Sequence, residues 1–410
     1  MVKKNISYSL LANIVRLIFG LILFVFLGKI LELETFGSYI YILTISGFFT
    51  MFIDFGFNLS LLNEIPKHKD KVMNYFYEIA IAKSLLVFIG IVFISLLIYL
   101  FDYTDKIVFY EFLIAAIIQS FSVFITTIFK ALNRFDIDFY FSLGNNIFPL
   151  FLVYIFHNNI SLEILGLIYI GTRLINLIIL VLYFFKKHNK KILKIIESHP
   201  IYLLKKNFKF AIHMVIGGFF LTIDIPIMKE ILGYEDVAIY SVGMKFFVVL
   251  MMIGDVLNSS FMPRLAEFIE KDKESFTLMV YKLNKLMLFF GLCFSVLIIL
   301  FGKEIILLIF GDKFIELVDL LPYFSIALFI RYISFPFGTL LTLAEKQSKR
   351  AFIMVIVFLM HIGLNIIFQY YFGVVGALIA LIISFLVLMF LNMLIVYNHY
   401  KTLYIFKGVL

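Results

Sequence analysis

Residues 30–54 read ILELETFGSYIYILTISGFFTMFID, and residues 231–255 read ILGYEDVAIYSVGMKFFVVLMMIGD. Without a gap, Ile30, Leu31, Glu34, Tyr39, Met51 and Asp54 fall on Ile231, Leu232, Glu235, Tyr240, Met252 and Asp255. The shared polar skeleton is a Glu, then a Tyr, then an Asp that closes an apolar stretch long enough to span a bilayer. An acid at the end of such a stretch is costly in hydrocarbon. Its recurrence implies two related halves, each carrying polar groups into a membrane.

Composition points the same way. The chain is 63% hydrophobic and 15% charged, with mean hydropathy +1.06. A soluble protein of 410 residues has too little interior for that apolar content, so the chain is polytopic. The opening MVKKNISYSLLANIVRLIFG has no small-residue cleavage site after its apolar run and reads as a retained first helix. Cys293, the single cysteine, lies in an apolar run and reads as a core residue. The net charge of +8 fits loops at a membrane surface rather than a nucleic-acid partner.

A helix needs about 20 mostly apolar residues to cross. Segments 8–28, 37–62, 79–101, 108–129, 140–157, 163–185, 209–231, 238–262, 280–301, 317–341, 351–371 and 375–397 qualify. Barrel strands would be shorter and would alternate. The predicted fold is therefore all-α and integral to the membrane, with about 12 transmembrane helices in two halves. The halves are expected over 1–185 and 209–410, related by a pseudo-two-fold along the membrane normal. Between them, 186–208 reads KKHNKKILKIIESHPIYLLKKNF, an expected amphipathic linker on the inner leaflet. Lysines and arginines gather on one side, among them Lys67, Lys69, Lys71, Lys130, Arg134, Lys186, Lys187, Arg264, Lys349 and Arg350. The other side holds little beyond Lys29, Lys106, Lys303 and Lys313. That bias predicts cytoplasmic termini in a bacterial inner membrane.

Several passages carry a family resemblance. Phe36-Gly37-Ser38-Tyr39 followed by Asp54-Phe55-Gly56 resembles the second-helix signature of polysaccharide biosynthesis proteins, the Wzx-like flippases of lipid-linked oligosaccharides. These belong to the multidrug/oligosaccharidyl-lipid/polysaccharide (MOP) exporter superfamily. IDIPIMKEILGYEDVAIYSVGMKF is similar to the family's passage from helix seven to eight, with Ala238 where the family often has Gly. Phe261–Glu267, Phe310–Glu316 and Tyr370–Ser384 resemble later motifs in the expected order. The resemblance covers nearly the whole chain. It implies an undecaprenyl-diphosphate-linked oligosaccharide as cargo, alternating access as mechanism, and a central cavity lined by helices one, two, seven and eight.

Ionisable residues at bilayer depth are functional candidates by default. Two phosphates and a glycan need a wet, cationic cavity. Arg16, Lys83, Arg173, Lys245 and Arg331 are the candidate substrate-binding cations, with arginine suited to bidentate phosphate contact. Arg16 and Lys245 are unshared by the repeat, since they align with Gly217 and Thr44. Asp54, Asp224 and Asp255 are candidates for a gate or for coupling to a proton or sodium ion. Asp54 and Asp255 favour the gate, and Asp224 favours the coupling. Glu111 and His361 read as an interfacial acid and a packed histidine. Gly217, Gly218 and Pro226 mark an expected hinge in helix seven, and Pro322 and Pro336 mark possible breaks in helix ten. Asp136-Ile137-Asp138 matches the metal-binding Asp-x-Asp of glycosyltransferases, but it stands in a short loop without a catalytic domain. No Walker A loop is present, no cofactor or nucleic acid is expected, and other polysaccharide-assembly proteins are conceivable partners. A cation-coupled multidrug exporter is the second reading; a polymerase or glycosyltransferase is the third and weakest, because the outer loops are short.

Overall fold

The computed structural model describes residues 2–100, 105–188 and 200–400. Among these the chain is helical, with no strand. The long helices are α1 (Val2–Ile30), α2 (Leu33–Asp54), α3 (Phe57–Glu64), α4 (Val72–Leu100), α5 (Lys106–Ala131), α6 (Phe135–Ile155) and α7 (Leu162–His188). They continue as α8 (Pro200–Phe219), α9 (Asp224–Ile231), α10 (Tyr234–Lys271), α11 (Lys273–Phe310), α12 (Leu317–Leu343) and α13 (Gln347–Tyr400). Nine are long and apolar enough to cross a membrane, or ten if the bent pair α8–α9 counts as one span. The protein is therefore a multi-pass membrane protein.

Two compact units divide the chain. The first comprises Met1–Thr35 and Tyr41–Phe219, the second Phe36–Ile40 and Phe220–Leu410. In the first, α5 is the central helix, packing on α7, α6, α3 and α4. Small residues Ala115, Ala116, Ser120 and Ser122 on its buried face allow that close approach. In the second, α12 plays this part against α10, α11 and α13. The most apolar window of α12 is 61% buried, whereas that of α11 is 11% buried, which leaves α11 to lipid.

The expected linker, 186–208, falls in large part outside the described residues. Lys186–His188 extend α7, residues 189–199 lie outside the described residues, and Pro200 starts α8. Proline suits that first helical position, where its missing N–H is not needed. Helix α8 thus starts before residue 209, and it lies with the first unit.

Helix breaks fall where the backbone permits them. α8 stops at Phe219 and α9 starts at Asp224 with a bend of 48°, directly after Gly217-Gly218. Pro226 sits in the first turn of α9, where it costs no internal hydrogen bond. The prolines of α12 do not break it: Pro322 and Pro336 are both carried inside one continuous helix, against the expectation of breaks there. α13 spans both of the last two expected segments and is kinked at Gly373 (φ 60°).

Gly37, from the Phe-Gly-x-Tyr passage, lies against the first residue of α10. A Cβ at this position would collide with the backbone carbonyl of Tyr234. Backbone cannot swing aside as a side chain can, so Gly37→Ala is expected to cost at least the ~1–3 kcal/mol typical of overpacking. Thermal unfolding in detergent should show a clear drop in Tm. Gly20→Ala, where a Cβ meets open space, should leave Tm unchanged. Equal Tm values for the two variants would disprove the contact.

Candidate functional site

Four clusters of ionisable side chains lie within the units. The first is built where α2 ends. Phe55 and Gly56 adopt left-handed conformations (φ 41° and 74°) and turn the chain into α3. A Cβ at Gly56 would meet Phe210 Cβ at 2.6 Å and Ala211 N at 2.9 Å, so glycine is required there by φ and by the approach of α8. This turn leaves Asp54 at a helix end facing α4 and α5. Lys83 Nζ donates to Asp54 Oδ1 at 2.5 Å and to Ser120 Oγ at 2.6 Å. Ser120 Oγ donates to the same carboxylate oxygen at 2.5 Å, and Asn58 Nδ2 reaches Oδ2 at 3.4 Å. Lys83 is fully buried, with the rings of Phe121 and Phe124 within 6 Å of its ammonium. Its ammonium is a counter-ion to Asp54 and is closed off from solvent.

The second cluster joins α1, α5 and α6. Arg16 Nη2 donates to Asp138 Oδ1 at 2.6 Å, and Nη1 donates to Asn13 Oδ1 at 3.1 Å. Lys130 Nζ lies 3.7 Å from the same Asp138 oxygen. The arginine side chain is 40% exposed and the aspartate 4%, so the cation presents a free edge and the carboxylate does not. These groups line a cavity of about 340 Å³ together with Gln119, Asn145 and Phe141. Two cations against one carboxylate leave the cavity net positive.

Asp138 belongs to the Asp-x-Asp triplet, and both of its carboxylates are taken. Arg134 Nε donates to Asp136 Oδ1 at 2.8 Å and Nη2 to Oδ2 at 2.7 Å, a bidentate clamp. These hydrogen bonds hold the Asp136 carboxyl below its ordinary range and push the Arg134 guanidinium up. The pair is an ion-pair anchor, and the triplet does not present two free carboxylates to a metal.

The third cluster lies in the second unit. Asp224, the first residue of α9, is fully buried, as are His361, Asn365 and Gln369 on α13. Tyr240 donates its hydroxyl to Asp224 Oδ2. His361 Nε2 lies 2.9 Å from Asp224 Oδ1. Ser384 Oγ donates to the Ala380 carbonyl at 2.7 Å, which makes it the acceptor for His361 Nδ1 at 3.0 Å. The approach of Nε2 to the carboxylate is one of distance alone, since Asp224 Oδ1 is buried without a hydrogen-bond partner. Gln369 Nε2 bonds Asn365 Oδ1 at 2.7 Å, and the Phe220 ring stacks on the imidazole at 5.0 Å.

The fourth cluster surrounds Asp255, inside α10, which interacts electrostatically with Arg331 of α12 and Arg350 of α13. Arg331 lies over the Phe335 and Phe385 rings at 4.7 and 5.5 Å. Arg350 Nη1 donates to the Gly338 carbonyl at 3.4 Å and Thr342 Oγ1 at 3.3 Å.

A model of the polysaccharide biosynthesis protein family matches residues 2–268. The chain belongs to that family. A second family model, MatE, matches residues 210–371. No curated protein matches the chain. Among solved structures, it is similar to the lipid II flippase MurJ in an inward closed conformation: TM-score 0.74 and 18% identity, over 97% of this chain and 88% of that one. An inward-facing multidrug resistance MATE family transporter of the MOP superfamily gives a TM-score of 0.67 at 12% identity, over 95% and 96%. A Vibrio cholerae MATE transporter gives 0.58 at 12%, over 98% and 97%. The fold is thus that of MOP-superfamily proteins.

For this family member, the expected site residues separate into groups. Asp54 and Lys83 come together in an ion pair, whereas Asp255 and Arg331 interact electrostatically. Arg173 lies over the Tyr169 ring at 4.8 Å, and Lys245 lies half-buried on α10. Glu111 packs against Gly166 of α7. His361, read from sequence as a packed histidine, is the partner of Asp224. Sequence reading named Asp138 only within the metal motif, Lys130 only as a loop cation and Tyr240 only within the repeat, and it did not single out Asn365 or Gln369. One signal was available: His361, Asn365 and Gln369 recur every four residues, a polar stripe along one face of an apolar helix.

Removing one partner of a buried ion pair typically costs about 3–5 kcal/mol, whereas removing both with shape retained is often neutral. Lys83→Met should therefore unfold at much lower temperature than the parent protein. Lys83→Met combined with Asp54→Asn should recover most of the loss. Additive losses in this double-mutant cycle would show that the two side chains are not coupled.

Proposed function

We propose that this protein is a flippase that moves an undecaprenyl-diphosphate-linked oligosaccharide from the inner to the outer leaflet of a bacterial cytoplasmic membrane. The observation that carries this reading is the cavity of Arg16, Lys130 and Asp138, net positive inside an apolar bundle. A diphosphate brings the compensating negative charge, and the exposed edge of Arg16 offers it a fork of donors. Family membership agrees with this cargo class. MurJ, named as a lipid II flippase, shares the fold. Arg173, Lys245 and Arg331 supply further positive charge along the cargo's path by alternating access, and Asp54 and Asp255 serve as gate elements. The bend at Gly217, Gly218 and Pro226 serves as the hinge. Both termini lie on the cytoplasmic side.

Asp224 and His361 are the coupling site in this reading, and the coupling ion is a proton. Asp224 Oδ1 is buried without a hydrogen-bond partner, so a change of charge at this carboxylate is costly where it stands and favours rearrangement of α9 and α13.

The likeness to MATE transporters favours a second reading, efflux of organic cations. A cation cavity would carry excess acid, which the Arg16 cavity does not.

Two experiments test these readings. In proteoliposomes holding a fluorescent polyprenyl-diphosphate oligosaccharide, the protein should move the lipid between leaflets, and Arg16→Ala should slow this at least ~10-fold, one charged hydrogen bond's worth. Efflux of an organic cation dye without lipid movement would reverse the ranking. In the same vesicles, an imposed pH gradient should accelerate transport by the parent protein and leave Asp224→Asn unaffected. An undiminished pH response in Asp224→Asn would remove the coupling assignment.

A further inference from the structure

The Arg16 cavity holds more than charge. Gln119 Oε1 of α5 and Asn145 Oδ1 of α6 are buried in its wall and have no hydrogen-bond partner. A buried amide oxygen left unpaired costs about 1–3 kcal/mol. Two of them in one cavity call for an occupant rich in donors. Phosphate oxygens cannot meet this need, because a diphosphate near neutral pH is an acceptor. Phe141 offers an aromatic wall beside these acceptors.

The cavity therefore joins two chemistries: cationic donors at Arg16 and Lys130, and neutral acceptors at Gln119 and Asn145. A sugar attached to a phosphate matches both, with hydroxyl groups that donate and an apolar ring face that packs on an aromatic. We infer that Gln119 and Asn145 are specificity-determining residues that accept hydroxyl hydrogens from the first sugar of the cargo, while Arg16 and Lys130 hold the phosphate linked to it. About 340 Å³ is room for one monosaccharide and a phosphate, not for a whole repeat unit. The selection is then made at the sugar nearest the lipid, and the remaining sugars escape it.

This inference rests on the flippase reading, and one binding experiment separates their failures. The purified full-length protein is reconstituted in lipid nanodiscs. The probes are short-chain polyprenyl diphosphate without sugar, and the same lipid carrying glucose, galactose, mannose, N-acetylglucosamine or N-acetylgalactosamine. The parent protein should bind at least one glycosylated probe about tenfold more tightly than the sugar-free lipid. Gln119→Leu and Asn145→Leu should abolish that preference and keep the affinity for the sugar-free lipid. Arg16→Ala should weaken both. Gln119→Ala and Asn145→Ala, which cannot overpack the cavity, serve should the leucine variants unfold. Binding of no polyprenyl diphosphate by the parent protein would overturn the flippase reading itself. If the sugar-free lipid binds but no glycosylated probe is preferred, or if the variants keep the preference, the two amides face water only and the inference falls.

Discussion

A charge in hydrocarbon must bring its counter-charge with it, and the interior of each unit is organised by that requirement. Lys83 and Asp54 are both buried in the first unit, and neither is tenable alone. Their contact draws α2, α4 and α5 to one point, and Ser120 must be small enough to let α5 close on it. In the second unit, Asp224 and His361 bring α9 and α13 together under the same constraint. Both aspartates stand at helix ends, one closing α2 and one opening α9. Helix ends already expose backbone polar groups. Gathering side-chain charge at these breaks confines the polar material to a few places and leaves the remaining helix surface apolar.

The internal repeat was legible in the sequence and survives in the structure, up to a point. α2 begins at Leu33 and α10 at Tyr234, the same offset as the aligned residues. The shared aspartates then diverge: Asp54 ends its helix, while Asp255 lies inside a helix that runs to Lys271. The cause can be read two residues on. Phe55-Gly56 in the first copy can take the left-handed turn, and Val256-Leu257 in the second cannot take it without strain. The shared tyrosines diverge as well. Tyr240 donates to Asp224, whereas Tyr39 stacks on Phe36.

Pairings were much less legible than positions. Twelve segments were expected, and nine or ten helices among the described residues are long and apolar enough to cross; apolar length located most of them because the bilayer imposes it locally on each stretch of chain. Asp138 meets Arg16 across a sequence separation of 122 positions, and no local pattern encodes that contact. Its neighbour Asp136 drew attention to a metal motif, and the two acids turned out to be engaged separately, by Arg134 and by Arg16. The break in α8–α9 was readable from Gly217, Gly218 and Pro226. The continuity of α12 through Pro322 and Pro336 was not, because neighbouring helices can re-satisfy the backbone groups that proline frees.

The two buried acid clusters differ in how fully the carboxylate is supplied with hydrogen-bond donors. Lys83 and Asp54 form a full ion pair supported by Ser120, Asn58 and two aromatic rings. Moving a proton from one to the other leaves the pair neutral, and removing it altogether leaves a lone carboxylate with a dense set of donors around it. Asp224 has one hydroxyl donor, Tyr240, on Oδ2, while its Oδ1 lies 2.9 Å from His361 Nε2 without a hydrogen bond. That buried oxygen gains a partner only if one of the two residues moves. Asp224 is the residue free to do so, since it opens a helix of eight residues that follows a 48° bend, while His361 is fixed by Ser384 and by the Phe220 ring stacked on it. The same demand for internal pairing thus gives one unit a carboxylate enclosed by donors and the other a carboxylate with one oxygen still unmatched.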